Sequence, residues 1–209
     1  MTTITRTLRF AACPMALFVL LPSANAGSNA AAAPNFDMVR ELQAANPHPS
    51  LGDAAEVLDR LVGSWSVDYS FFSKDGTVKH KSGEYLAGWV MDGRALQDFW
   101  IVYPSGTRTE REVYTSLRYV DPKSGTWYAT FIDPEHASVA RFTGAVAGND
   151  RITVVTHDFG GKDNRWSFND IRPDGFVFRD EQSSDGGKTW RVVEEDHMTR
   201  RRTDPAARL

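Results

Sequence analysis

The sequence predicts an all-β fold, an antiparallel up-and-down barrel of about ten strands preceded by one or two short N-terminal helices. Three observations predict it. From Trp65 almost to the C-terminus, apolar and polar residues alternate with period two in ten runs. Clusters of Gly, Asp, Asn and Pro separate those runs at hairpin spacing. No helix-length pattern interrupts them, so parallel βαβ units are excluded, and closing so long a meander removes two exposed edges.

The 209 residues, 41% hydrophobic and 24% charged, suffice for one domain with its own core. At the N-terminus, Arg6 and Arg9 precede an apolar run from Phe10 to Leu21, and Pro22 to Ala26 offer small residues at cleavage spacing. This pattern predicts a signal peptide over residues 1–26 and export to the periplasm or medium. The run is too short to span a bilayer, so no stable membrane insertion is expected once it is removed. Cys13 falls within this segment, which leaves the exported chain without a disulfide, a thiolate nucleophile or a cysteine ligand. Beyond it stand 22 basic and 27 acidic residues, a poor surface for a phosphate backbone, and no nucleic-acid partner is expected.

Residues 27–35 read as a disordered small-residue linker and residues 36–62 as the helical segment. Phe36, Val39 and Leu42 have helical spacing until Asn46-Pro47-His48-Pro49 breaks it. A second helix is expected with Ser50 as cap, Asp53 completing a capping box, and Leu51, Ala54, Val57, Leu58 and Leu61 as its apolar stripe. The strand runs cover 65–72, 77–90, 95–103, 111–120, 126–132, 138–147, 150–157, 164–171, 175–183 and 189–200. The barrel occupies residues 63–202, and 203–209 form a C-terminal tail.

Gly63-Ser64-Trp65, opening the first strand after a short helix, resembles the start of lipocalin-like (calycin) barrels. That resemblance implies that Trp65 plugs the closed end and that Arg200 or Arg201 lies across its face. Trp166-Ser167-Phe168-Asn169-Asp170-Ile171, Asp174-Gly175-Phe176, Phe178, Ser183, Asp185-Gly186-Gly187-Lys188-Thr189-Trp190 and Arg200-Arg201 follow in order. Together with Leu61 to Trp65 they look like a bacterial family of lipocalin-like barrels of unknown function, over residues 49–201. The likeness implies a fold and no activity. Ser183, Asp185, Gly187, Thr189 and Trp190 also match the Asp-box hairpin, whose Asp accepts backbone N–H groups while Gly supplies positive φ; the expected role is structural.

No two of His48, His80, His136, His157 and His197 have zinc-site spacing, so no metal is expected. Nitrobindin barrels open with a glycine-rich strand that this chain lacks, and no cofactor is expected. Candidate ligand-binding residues come from alternation. If Lys79 and Lys81 face solvent, His80, Ser82, Glu84 and Leu86 turn inward, and His80 and Glu84 share one face. Arg118, Arg165, Arg179 and Glu181 lie within strands, where buried charge must be paired, so a salt-bridged subset marks a pocket. No Gly-x-Ser-x-Gly elbow supports a serine triad.

Three functions follow. An exported barrel binding a small, largely apolar molecule fits the plentiful strand aromatics. A barrel enzyme of isomerase or cyclase type would use a His80/Glu84 pair. A filled barrel would serve as a structural or interaction module.

Overall fold

The computed structural model describes residues 42–146, 151–159 and 161–202. The expected signal peptide, the linker, most of the first helix and the C-terminal tail lie outside the described residues. Ten antiparallel strands form a closed barrel: β1 Gly63–Phe72, β2 Val78–Val90, β3 Ala95–Val102, β4 Glu112–Val120, β5 Trp127–Asp133, β6 Ser138–Val146, β7 Ile152–Phe159, β8 Lys162–Arg172, β9 Gly175–Ser183 and β10 Arg191–Arg200. Every strand pairs with its sequence neighbours, and β10 pairs with β1 from Trp65↔Arg200 to Phe71↔Glu194. All ten expected runs are strands, with bounds within two residues of those read from the sequence. The turn clusters set these bounds: Met91 and Asp92 adopt positive φ in the β2–β3 hairpin, a cost carried by the closing of the turn.

The helical expectation is corrected. One α-helix is described, α1 (Ala54–Asp59), preceded by a single 3₁₀ turn over Pro49–Leu51. Residues 42–45 are not helical, and Ala44 instead forms a bridge with Trp89. Ser50 does not cap α1, and Asp53, at the N-cap, makes no side-chain capping bond. The reason is local: Pro49 holds the preceding His48 in extended backbone, and Gly52, at φ 57°, breaks the segment before a longer helix can start. The stripe is still used, since Leu51, Val57, Leu58 and Leu61 join the buried cluster containing Trp65, Trp89 and Leu96.

This cluster closes the end of the barrel at which β1 begins. Trp65 is fully buried, its Nε1 donates to the Leu61 carbonyl at 2.9 Å, and its ring meets Phe176 edge-on. Arg200 lies across Trp65, 3.8 Å from the ring centroid, as the resemblance implied. The guanidinium also donates to the carbonyls of Arg60, Val62 and Pro173, tying α1 to the last strand. Gly63, at φ 133°, leaves the space that Arg200 Nη1 fills, since a Cβ there would stand 2.5 Å from it. Arg201, the alternative candidate, instead pairs with Glu84 at 2.5 Å.

Candidate functional site: an aromatic cavity with a carboxyl wall

Inward positions follow from the cross-strand register, because directly paired residues share a face. One interior row runs Lys79, Phe71, Glu194, Asp180, Trp166 and Val154; the row below it runs Lys81, Tyr69, Asp196, Phe178, Phe168 and Ile152. The lower half of the interior is filled by stacked and edge-on rings, among them Tyr85–Trp100 and Phe168–Phe178.

Toward the other end the rings part and leave a cavity of about 400 Å³. Trp100, Tyr114, Phe131, Trp166 and Phe178 supply its aromatic walls. Its polar lining comprises four carboxyl residues, Glu112, Asp133, Asp180 and Glu194, with Lys79 and Lys81. The volume lies within the range of small-molecule pockets.

The carboxyls fall into two sets. Near the rim, Glu112 accepts from Lys81 Nζ at 2.9 Å and from Tyr114 Oη at 2.5 Å. Burial pushes the Glu112 carboxyl up, but these bonds and the charges of Lys81 and Arg108 outweigh it and hold it below its ordinary value. Asp133 accepts from the Glu135 and His136 amides and from His136 Nδ1, closing the β5–β6 turn.

Across the cavity, Asp180 and Glu194 are direct cross-strand partners, and Asp196 follows Glu194 on the same face. Asp180 is 9% exposed and accepts from Asn164 Nδ2 at 3.1 Å. Burial pushes its pKa up to about 7, against the restraint of the Asn164 donor. Burial also raises Glu194, and the Asp180 charge adds to it. Asp196 is fully buried between Tyr69 and Phe178, neither carboxylate oxygen has a donor in full hydrogen-bond geometry, and burial with the neighbouring Glu194 raises its pKa well above the ordinary value against the restraint of the Ser70 amide.

Arg118, of the sequence candidates, lies inside. Its Nε donates to Asp98 Oδ2 at 2.7 Å, and Tyr85, Trp100 and the Ser116 amide also donate to Asp98. The guanidinium sits 4.8 Å from the Phe168 centroid, below the cavity, where it braces the core without lining the space. Burial lowers the Arg118 pKa, but the Asp98 charge outweighs it and the net shift is upward.

The remaining candidates lie on the outer face. The expected phase of β2 is inverted: Lys79, Lys81, Gly83 and Tyr85 point inward, while His80 bonds Ser70 Oγ at 3.1 Å outside and Glu84 binds Arg201 and Tyr103. Tyr85 and Trp89, both buried, set this phase, and Lys81 tolerates it because its ammonium lies over the Phe71 ring and reaches Glu112. Arg165 forms a two-point ion pair with Glu181 and lies 4.4 Å over Trp190; Arg179 pairs with Glu195 at 2.5 Å. These pairs mark no pocket. At one side of the open end, the hairpin matching the Asp-box closes as expected. Asp185 accepts from the Lys188 and Thr189 amides, and Gly187 holds φ 79°. The Trp190 indole donates to the Gly187 carbonyl. Hydrogen bonds from Thr189 lower the Asp185 carboxyl to about 2.

Among the described residues no group of three or more His, Asp or Glu side chains is arranged to hold a metal ion. None of the described helices is long and apolar enough to cross a membrane.

Fold and cavity together define a lipocalin-like, ten-stranded β-barrel. No family profile matches the chain, and no curated protein is similar to it in sequence. Solved structures are similar in fold. Rv2717c from M. tuberculosis is 15% identical, with TM-score 0.50 over 75% of this chain and 100% of that one. The S-type phycobiliprotein lyase CPES from Guillardia theta is 11% identical, with TM-score 0.54 over 74% of this chain and 97% of that one. Both are lipocalin-like barrels, and at these identities the likeness concerns the fold alone.

Proposed function

We propose that the protein is an exported, lipocalin-like barrel that binds a small, largely apolar molecule in the cavity at its open end. The observation that carries this reading is the cavity of about 400 Å³ with its aromatic walls. A ligand entering it would exchange water contact for ring contact, worth roughly 25 cal/mol per Å² of apolar surface buried, while a few polar groups fix its orientation. Export is supported by Arg6 and Arg9 ahead of the apolar run and the small residues at Ala24 and Ala26. Membership of residues 49–201 in the bacterial family of lipocalin-like barrels that the sequence resembles is part of this proposal; the closed ten-stranded barrel supports it, while no family profile matches the chain.

Two other readings carry less. An enzyme built on His80 and Glu84 lacks its geometry, because both side chains face outward. A barrel filled throughout is opposed by the cavity itself.

Trp100 and Trp166 line the space, so intrinsic fluorescence against fatty acids, sterols and aromatic metabolites tests the proposal. Saturable quenching at one site per chain is expected for at least one class. Silence across the whole panel would refute it.

A further inference from the structure

The cavity's charge is lopsided, and its cations are already engaged or peripheral. Lys81 is held by Glu112 at 2.9 Å, and Lys79 is exposed at the start of β2. Glu112 and Asp133 are likewise committed, the first to Lys81 and Tyr114, the second to His136 and two turn amides. What faces the space without a cationic partner is the opposite wall, Asp180 beside Glu194, with Asp196 directly below. Asp180 has one side-chain donor in hydrogen-bond geometry, Asn164.

A second observation points the same way. Asp196 is fully buried on the inward face, and neither of its carboxylate oxygens has a donor in full hydrogen-bond geometry, the Ser70 amide and the Glu194 carboxyl being the groups that approach it. A buried carboxyl without a donor is costly, and natural interiors keep such a group only where something occupies it or uses it. Around the wall, Trp166, Phe178 and Tyr69 present aromatic faces, which attract organic cations through the ring quadrupole.

We propose that the cavity takes a small organic cation, with an ammonium head against Asp180 and Glu194 and an apolar body against the aromatic walls. This rests on the cavity being a ligand site, and it names the chemistry the site selects. The head supplies the donors and positive charge that the wall lacks; the body gains from ring contact and from exclusion of water. A carboxylate of the same shape meets like charge at the same place and is rejected.

The binding is coupled to protons. The groups facing Asp180 and Glu194 are Asn164 and Trp166 from β8, Asp196 from β10, Tyr69 from β1, Lys79 and Lys81 from β2 and, across the cavity, Glu112 and Tyr114 from β4 and Asp133 from β5, and the net effect of burial is to hold the wall partly protonated near neutrality. An ammonium must displace a proton there, so its affinity rises with pH. With the Asp180 value about 7, ionisation of that group alone raises cation affinity about fourfold between pH 6.5 and 8.

The test uses three probes with one body, 2-naphthylmethylamine, 2-naphthylmethanol and 2-naphthoate, titrated calorimetrically into the full chain. The amine is expected to bind at least tenfold more tightly than the alcohol at pH 7.5, and the carboxylate most weakly. The amine alone should gain at least about fourfold from pH 6.5 to 8. In Asp180→Asn and Glu194→Gln, each checked for folding by circular dichroism, the amine's advantage should fall at least fivefold while the alcohol's affinity stays within twofold. Equal binding of amine and alcohol, or tightest binding of the carboxylate, overturns the cation proposal and leaves the cavity reading standing. Failure of all three, together with silence of the wider panel, overturns both.

Discussion

Asp180→Asn tests the carboxyl wall through stability alone, without any ligand. The Asp180 carboxyl sits in the fold with a pKa about 7, against an ordinary value of 3.8, because burial penalises its charge. Between those values the folded chain keeps a proton that the unfolded chain has released. Raising the pH removes it, so the fold loses stability as pH climbs through the folded value, the reverse of a salt-bridged aspartate. One pKa unit corresponds to about 1.4 kcal/mol, and integrating from pH 5 to pH 8.5 gives a loss of roughly 2–3 kcal/mol from this residue. The cavity admits water, which trims that figure toward about 2 kcal/mol, or roughly 5 °C in Tm for a domain of this size. Asparagine is nearly isosteric, keeps an acceptor for Asn164 Nδ2 and cannot ionise. Urea unfolding from pH 5 to pH 8.5 should show wild type weakening and Asp180→Asn weakening less by about that amount, so that the variant is the more stable protein at pH 8.5. Parallel curves would refute the burial of this carboxyl and the wall built on it.

Other outcomes follow from the same geometry. Arg200→Ala removes the contact with Trp65 and three carbonyl partners, and should cost about 2–4 kcal/mol by chemical denaturation. Arg118→Met leaves Asp98 buried without its counter-charge and should cost roughly 3–5 kcal/mol, whereas the surface change Arg179→Ala should cost at most about 1 kcal/mol. Gly83→Ala should not fold at all, because a Cβ there would stand 1.8 Å from the Ile101 carbonyl oxygen with the Tyr69 ring alongside; soluble, cooperative unfolding of that variant would contradict the interior placement of Gly83. His80→Ala and Glu84→Ala should leave probe affinity within twofold, since both side chains lie outside the barrel.

The strands were legible because their ends carry chemistry of their own: Asp75-Gly76, Met91-Asp92-Gly93 and Asp174-Gly175 can do little but turn. The contact of Trp65 with Arg200 or Arg201 was legible through the resemblance, the structure choosing Arg200, and Asp185 was legible through its hairpin. The face of β2 was not, because lysine reads as solvent-facing although Lys79 and Lys81 line the cavity and the Lys81 ammonium is held there by Glu112 and the Phe71 ring. The wall was missed for a related reason. Arg179 and Glu181 stand out on β9 as charged residues within a strand, yet Phe176, Phe178 and Asp180 share one face of it, so a buried Phe178 already places Asp180 inside. On β10 the bulge between Val192 and Glu194 shifts the register, and no feature of the sequence marks it. Ala44 pairs with Trp89 where a helix was expected, a tertiary contact overriding local spacing.

The most direct measurement is nuclear Overhauser contact between a bound aromatic probe, 1-aminoanthracene, and assigned side chains of the isotope-labelled chain. A probe seated in the barrel should show cross-peaks to Tyr69, Trp100, Phe131 and Trp166, at one probe per chain. Cross-peaks confined to the outer-face residues Phe99, Ile132 and Val139, or no saturable contact with any residue, would contradict an interior site.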